Sequence, residues 1–402
     1  MKKIILLFLS ILLTWTPPLF FSADCFAENH PLQEHDEIAA PVISAEHAIV
    51  IERQTGRVLF EKNAYQKTAM ASTTKLMTAL IVAENIDAAE ITTVSARAAA
   101  TGGSTMGLHR GEEISVRDLL YGLMLKSGND AAIALAETVA GSAEAFCDLM
   151  NQKAISIGAA NTHFTSPHGL DDDGHYTTAY DLALICRAAS ENNLVRELIG
   201  TKQYSAGSRY LSNTNPFLGT SPAVTGGKTG FTNNAGRCIA LTATKDGMDT
   251  ILILIGCPDS DSRMKDGNKL LSYTYENFSL RKPVFGNTRL ALLRNKRSRL
   301  GDADIIIEED IVLPLSGAES NLLVITLHIE GKTYDITGGN IPAVLTEHEI
   351  SAGSMTGTLC VSLGKDGAIL CERKCYVTSA ITEKDFLYYL KKVIVCWFGA
   401  MV

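Results

Sequence analysis

The sequence predicts an α/β protein of the α+β kind. An antiparallel sheet packs with helices and is followed by a small all-β domain and an amphipathic C-terminal tail. Three observations carry this. Strand-like runs stand at both ends of segment 44–282, with helical periodicity between them. From Lys282 the composition shifts to short strand-like runs separated by turn signals. Residues 381–402 are apolar and aromatic around Lys391-Lys392.

The chain has 402 residues, of which 46% are hydrophobic. That is more than one core usually holds, so two domains are expected. At the N-terminus, Lys2 and Lys3 precede an apolar run from Ile4, and Cys25-Phe26-Ala27 suits cleavage after Ala27. Residues 1–27 therefore read as a signal peptide, and the protein as exported. Pro17-Pro18 and Asp24 interrupt the run, which argues against a membrane span. Residues 28–43 are polar and read as a linker. The formal net charge is −8, and losing Lys2, Lys3 and Asp24 makes the chain more acidic still, so nucleic acid is not a partner. The cysteines beyond Cys25 are scattered and not at metal spacings. Cys147 and Cys186 fall inside helical patterns, as small buried hydrophobes do.

The elements follow in order. Ala48–Arg53 and Arg57–Glu61 flank Gln54-Thr55-Gly56 as a β-hairpin. A helix continues from Ser72 through Leu76–Val82. Ser115 with Asp118 resembles a capping box, starting a helix that runs towards Ser127. Ala131–Ala140, Ala143–Ile157 and Thr178–Ala189 are further helices. Ile239–Ala243 and Thr250–Ile255 read as antiparallel neighbours joined through Lys245-Asp246-Gly247. Leu270–Phe278 closes domain 44–282 as a helix. In domain 283–380, the strand-like runs are Ile305–Leu313, Leu322–His328, Thr358–Ser362 and Ala368–Val377.

Three motifs carry the chemistry. Ser72-Thr73-Thr74-Lys75 places a hydroxyl and an amine on one helix face. Ser72 would sit at the helix start, where free N–H groups and the dipole favour developing negative charge. Lys75 can take the Ser72 proton if burial and a second cation lower its pKa. Ser127-Gly128-Asn129 ends one helix before another. Its hydroxyl can relay a proton, and the Asn129 amide can hold a substrate oxygen or orient Lys75. The same triplet would also suit plain helix-end chemistry, with Gly128 left-handed and Asn129 capping. Lys228-Thr229-Gly230, followed by Phe231, ends a strand whose edge could align an extended peptide. Lys228 and Thr229 can bind a terminal carboxylate, and Gly230 permits close approach. Each motif alone is weak. In one order within one domain they supply the parts for acyl transfer through a serine ester.

Through these residues the chain resembles the D-alanyl-D-alanine carboxypeptidases, low-molecular-mass penicillin-binding proteins of serine peptidase family S11. Ala71–Ala79 matches the family's first motif with its flanks. Ser166-Pro167-His168-Gly169-Leu170, with Gly174-His175-Tyr176, is similar to its central segment, and Lys228–Gly236 to its third motif. The resemblance implies a nucleophile at Ser72, a base at Lys75 and a relay through Ser127 and Asn129. It implies carboxylate binding by Lys228 and Thr229, beside Gly230. The oxyanion hole would use the N–H groups of Ser72 and Phe231. The substrate implied is a peptidoglycan stem pentapeptide, with β-lactams as mimics. A β-lactamase and a DD-endopeptidase share this kit. A stand-alone lactamase needs neither the β domain nor the tail. A non-catalytic cell-wall binding protein would not need Ser72 or Lys75.

His163, His168 and His175 with Asp171-Asp172-Asp173 raise a metal reading, but their spacing fits no zincin pattern. The segment reads instead as a loop whose polar groups satisfy one another near the site, and neither metal nor cofactor is expected. A turn at Lys365-Asp366 would set Cys360 opposite Cys371, close enough for a disulfide. In tail 381–402 neither apolar run is long enough to span a bilayer. It reads as an interfacial helix on the outer face of the cytoplasmic membrane, with Tyr388, Tyr389 and Trp397 near the headgroups.

Overall fold

A computed structural model describes residues 39–295, 302–346 and 348–382. The signal peptide, most of the linker and tail residues 383–402 lie outside the described residues. Two compact units emerge. One comprises Glu34–Thr288 and Glu309–Leu323; the other holds Arg289–Glu308 and the chain from Val324.

The first unit opens with β1 (His47–Glu52) and β2 (Val58–Lys62), the expected hairpin. A 3₁₀ turn, Ala71–Thr74, runs straight into α1 (Lys75–Asn85). Strands β3 (Ile91–Thr93) and β4 (Glu113–Ser115) pair around the short α2 (Ala96–Ala99). Then come α3 (Val116–Leu125), α4 (Asn129–Ala140), α5 (Ala143–Ser156), α6 (Ala179–Glu191) and α7 (Asn193–Gly200). Their starts are capped as their sequences demand. Ser115 Oγ accepts from the Asp118 N–H, and Thr178 Oγ1 from that of Asp181, both at 3.0 Å. After the hairpin β5 (Gln203–Ala206) and β6 (Arg209–Ser212), the chain lays down β7 (Val224–Thr232), β8 (Gly236–Lys245) and β9 (Met248–Cys257). It then forms α8 (Ser260–Asn277) and β10 (Phe278–Val284).

The antiparallel sheet has the order β2-β1-β9-β8-β7. Both faces are covered, so every residue of β1 is buried. Ile49, Ile51, Ile251 and Ile253 face the helical lobe, whereas Val50, Leu252 and Leu254 share a core with α8 residues Leu270 and Leu271. Burying each such side chain is worth about 1.5–3 kcal/mol. Asp246 and Gly247, at φ 51° and 80°, make the two-residue β8–β9 turn. Cys147 and Cys186 are buried in their helices as expected.

Helix α8 starts ten residues before the expected Leu270. Its first half is polar and contains Gly267, which hides the helical periodicity. The glycine is required because a Cβ there would lie 2.5 Å from the Phe217 ring.

The second unit carries strands Lys332–Asp335, Leu323–Ile329, Met355–Leu363, Ile369–Val377, Ala303–Ile306, Ala291–Arg294 and Ala343–Leu345, hydrogen-bonded in that order. Two expectations need correction. The run Ile305–Leu313 is not one strand. It breaks at the acidic stretch Glu308-Glu309-Asp310, and Ile311–Ser316 pairs with β10 in the first unit. A boundary at 282/283 therefore cuts through β10. The disulfide expectation also fails. Ser362 faces Ile369 as the expected register requires, but a bulge between Val361 and Ser362 shifts every pair beyond it. Cys360 stands opposite Glu372, Cys371 opposite Val361, and the two are not bridged.

Asp266 of α8 ties down the start of β1. Its carboxylate accepts from the Ser44 N–H and Ala45 N–H at 2.9 Å each and from Ser44 Oγ at 2.6 Å. Asp266→Ala should destabilise the first unit by about 1–3 kcal/mol, read by urea denaturation.

Candidate active site

The 3₁₀ turn presents Ser72 at the head of α1, with Ala71 held at φ 48°, in the left-handed region. Strand β7 presses against that turn. A Cβ on Gly230 would sit 3.1 Å from Ser72 N and 3.0 Å from Ala71 Cβ. Gly169, at φ 84°, closes the other side, where a Cβ would lie 2.0 Å from the Ala71 carbonyl oxygen. Two glycines thus let three backbone segments converge on the serine.

Lys75 is wholly buried. Its Nζ lies 2.9 Å from Ser72 Oγ, 2.7 Å from Asn129 Oδ1 and 2.7 Å from the His168 carbonyl oxygen. The last two groups can only accept. A neutral amine has two N–H donors for them, which leaves its lone pair directed at the Ser72 hydroxyl. Burial, reinforced by the charge of Lys228, pushes the Lys75 pKa well down, and Asp130 opposes the shift. The Asn129 orientation is fixed from behind, because Nδ2 donates to the Gly102 carbonyl at 2.8 Å.

Lys228 is also buried, and burial with the Arg263 guanidinium nearby pushes its pKa down to about 7. Its Nζ donates to Ser127 Oγ at 3.0 Å and to the Thr229 carbonyl at 2.8 Å. Ser127 thus pairs with Lys228 rather than with Lys75. At φ 59° Ser127 takes the left-handed position considered for Gly128. A non-glycine residue held there costs of order 1–3 kcal/mol. Gly128 instead precedes α4 as its cap, and Asn129 is the first helical residue. Thr229 Oγ1 lies 2.8 Å from Thr214 Oγ1, and Phe231 is exposed with the Arg237 guanidinium 4.0 Å over its ring. β7 ends the sheet order, so one edge is open towards this site.

The His/Asp segment behaves as the loop expected of it. Thr78 Oγ1 donates to the Pro167 carbonyl at 2.6 Å. His175 Nδ1 accepts from the Thr165 N–H at 3.1 Å, so Nε2 carries the proton and donates to Thr74 Oγ1 at 2.8 Å. Thr74 passes the chain on to the Ala71 carbonyl at 2.7 Å. Burial pushes the His175 pKa down to about 4, and burial with Lys75 does the same to His168.

Sequence reasoning missed four supports. Asp130 and the His168 carbonyl both lie within or beside motifs that stand out for other atoms. Thr214 comes from a loop with no motif. Arg263 sits in the polar half of α8, which reads as solvent-facing, yet it is buried, with its Nη1 3.4 Å from the Cys238 carbonyl.

Residues 34–259 match the family model for D-alanyl-D-alanine carboxypeptidase. Over 400 residues the chain is 32% identical to the D-alanyl-D-alanine carboxypeptidase DacF of Bacillus subtilis, covering 97% of this chain and 98% of that one. The chain belongs to the D-alanyl-D-alanine carboxypeptidases. It is also 30% identical to DacA of Escherichia coli K12, over 89% of this chain and 90% of that relative. Penicillin binding protein 5 from Haemophilus influenzae superposes with a TM-score of 0.74 at 25% identity, covering 86% of this carboxypeptidase and all of the solved chain. The matches to DacF, DacA and penicillin binding protein 5 extend beyond the family-model match into the β domain.

The buried His175 of this carboxypeptidase makes stability acid-sensitive. Its folded pKa lies below the value of about 6.5 in the unfolded chain, so protons bind the unfolded state first as pH falls. Stability should fall by roughly 3 kcal/mol between pH 6.5 and 4 from this group. Urea midpoints measured across that window should decline less steeply for His175→Gln.

Proposed function

We propose that this carboxypeptidase removes the terminal D-Ala from peptidoglycan stem pentapeptides through an ester on Ser72. The observation carrying this reading is the buried Lys75 Nζ held 2.9 Å from Ser72 Oγ by the Asn129 and His168 oxygens. Ser72 Oγ bonds to the carbonyl carbon between the two D-Ala residues as its proton passes to Lys75. The developing oxyanion meets the N–H groups of Ser72 and Phe231. The C–N bond then breaks. Ser127, held by Lys228, passes its hydroxyl proton to the leaving nitrogen and takes up the one held by Lys75, so the amine is neutral again as D-Ala departs. Water cleaves the ester and restores the serine. Lys228 and Thr229 receive the terminal carboxylate, which restores charge to Lys228 by pairing with it. The open β7 edge aligns the stem peptide, with Gly230 giving it room. Removing the D-Ala limits cross-linking. β-Lactams enter by the same path and leave a slow ester.

Penicillin should therefore add to Ser72, seen by intact mass and peptide mapping, and not to Ser72→Ala. The acylation rate should rise with pH through an apparent pKa well below that of free lysine, near 10.4, because Lys75 acts in its neutral form. A rate flat across the neutral-to-alkaline range would remove Lys75 as the base.

Residues 1–27 direct export in this reading, and tail 381–402 holds the enzyme to the outer face of the cytoplasmic membrane. Among the described residues no helix is long and apolar enough to cross a membrane. The support for an interfacial tail is its sequence: two short apolar runs, aromatic residues and a central lysine pair. A chain ending at Ala380 should stay penicillin-reactive and move to the soluble fraction. A truncated chain that still pellets with membranes, or unfolds, rejects the anchor.

A further inference from the structure

We infer that Asp130 is a positioning residue for the acylation step. Its buried carboxylate holds the glycine-rich segment 102–108 in the one shape that keeps the Asn129 amide oxygen, and not its nitrogen, on Lys75. The inference rests on the proposed roles of Ser72 and Lys75.

Asp130 is 1% exposed and stands in the first turn of α4, next to Asn129. Its carboxylate gathers the backbone N–H groups of Met106, Gly107 and Leu108 at 3.0–3.1 Å, together with that of Ala131 at 2.9 Å. Successive N–H groups aimed at one point form an anion nest, and here the protein's own carboxylate fills it. The other end of the same segment is held by Asn129. The Ser104 carbonyl accepts from the Asn129 N–H at 2.7 Å, and the Gly102 carbonyl from Asn129 Nδ2 at 2.8 Å. The Gly102 contact decides which way the amide points.

The alternative orientation would be harmful in a specific way. A flipped amide presents N–H to Lys75. The neutral amine could meet it only by turning its lone pair away from Ser72. The base would be occupied by a donor that has no part in the reaction. Asp130 prevents this through the segment it fixes. It also faces Lys75 as a fixed negative charge, alongside Lys228 from β7 and His168 and His175 from segment 165–176.

The test is penicillin acylation of Ser72 as a function of pH in the full chain, with thermal unfolding measured in parallel. Wild-type acylation is the control, and its failure would reject the proposed role of Ser72 rather than this inference. Asp130→Asn should fold and lose on the order of 10- to 100-fold in acylation rate. Its pH profile should also move to lower pH, because removing the anion favours the neutral amine. A folded Asp130→Asn that acylates at the wild-type rate overturns the inference, and so does one whose loss comes with a profile that stays in place, as a purely structural residue would behave. Should Asp130→Asn fail to fold, Gly103→Ala decides. Its Cβ would lie 2.6 Å from Asn129 Nδ2 at φ 85°, disturbing the same contact without touching the carboxylate. A comparable loss of acylation in a folded Gly103→Ala supports the inference. A wild-type rate overturns it.

Discussion

Lys75 Nζ lies in the interior of the first unit, held by an amide oxygen, a carbonyl oxygen and a hydroxyl, with Lys228 repelling it across the site. Taking an ammonium out of water costs several kcal/mol even after relaxation. That cost favours the neutral amine over the ammonium, and the neutral amine is what a serine needs beside it. Every other element of the site can be read as a condition on this arrangement. The 3₁₀ turn and the first residue of α1 bring the hydroxyl and the amine together. α4 supplies the amide. Segment 165–176 supplies the carbonyl, and β7 supplies the second cation.

Keeping such an amine in place requires backbone in unfavourable conformations. Ala71 and Ser127 both sit at positive φ. Both lie within reach of the reacting centre, where strain of this kind tends to collect. The compensation comes from the surrounding packing. Thr78, Thr74 and His175 lace segment 165–176 to α1, and the two-sided core behind the sheet immobilises β7. Precision at the serine is thus built from groups that never meet substrate.

Much of this was legible in the sequence, for physical reasons that differ by element. Helices α3, α4, α5 and α6 announce themselves through apolar spacing and through caps such as Ser115 and Thr178, which are local signals. The motif residues Ser72, Lys75, Asn129 and Lys228 were recognisable by type and order. What stayed hidden depends on long-range contact. Polar Arg263 gives no hint of burial, because the partner surface lies on β8. The pairing of Ser127 with Lys228 joins positions far apart in sequence. The Cys360–Cys371 expectation failed on a single bulge, since one extra residue moves a strand's register and with it every opposing pair.

The return of Glu309–Leu323 to the first unit changes what counts as a module. The polypeptide does not finish the catalytic body and then append a separate one. It leaves at Arg289, lays down two strands elsewhere, comes back to pair Ile311–Ser316 with β10 and to place Glu319 against Arg57, and only then departs for good. In modular terms the catalytic body is discontinuous. A fragment cut at the apparent boundary near residue 282 would end inside a strand and lack that strand's partner. A piece that keeps the partner of β10 extends to Leu323 and carries the intervening excursion, whose strands Ala291–Arg294 and Ala303–Ile306 pair with Ala343–Leu345 and Ile369–Val377 beyond it. Swapping the C-terminal unit between relatives therefore requires three junctions, at 288/289, 308/309 and 323/324, rather than one.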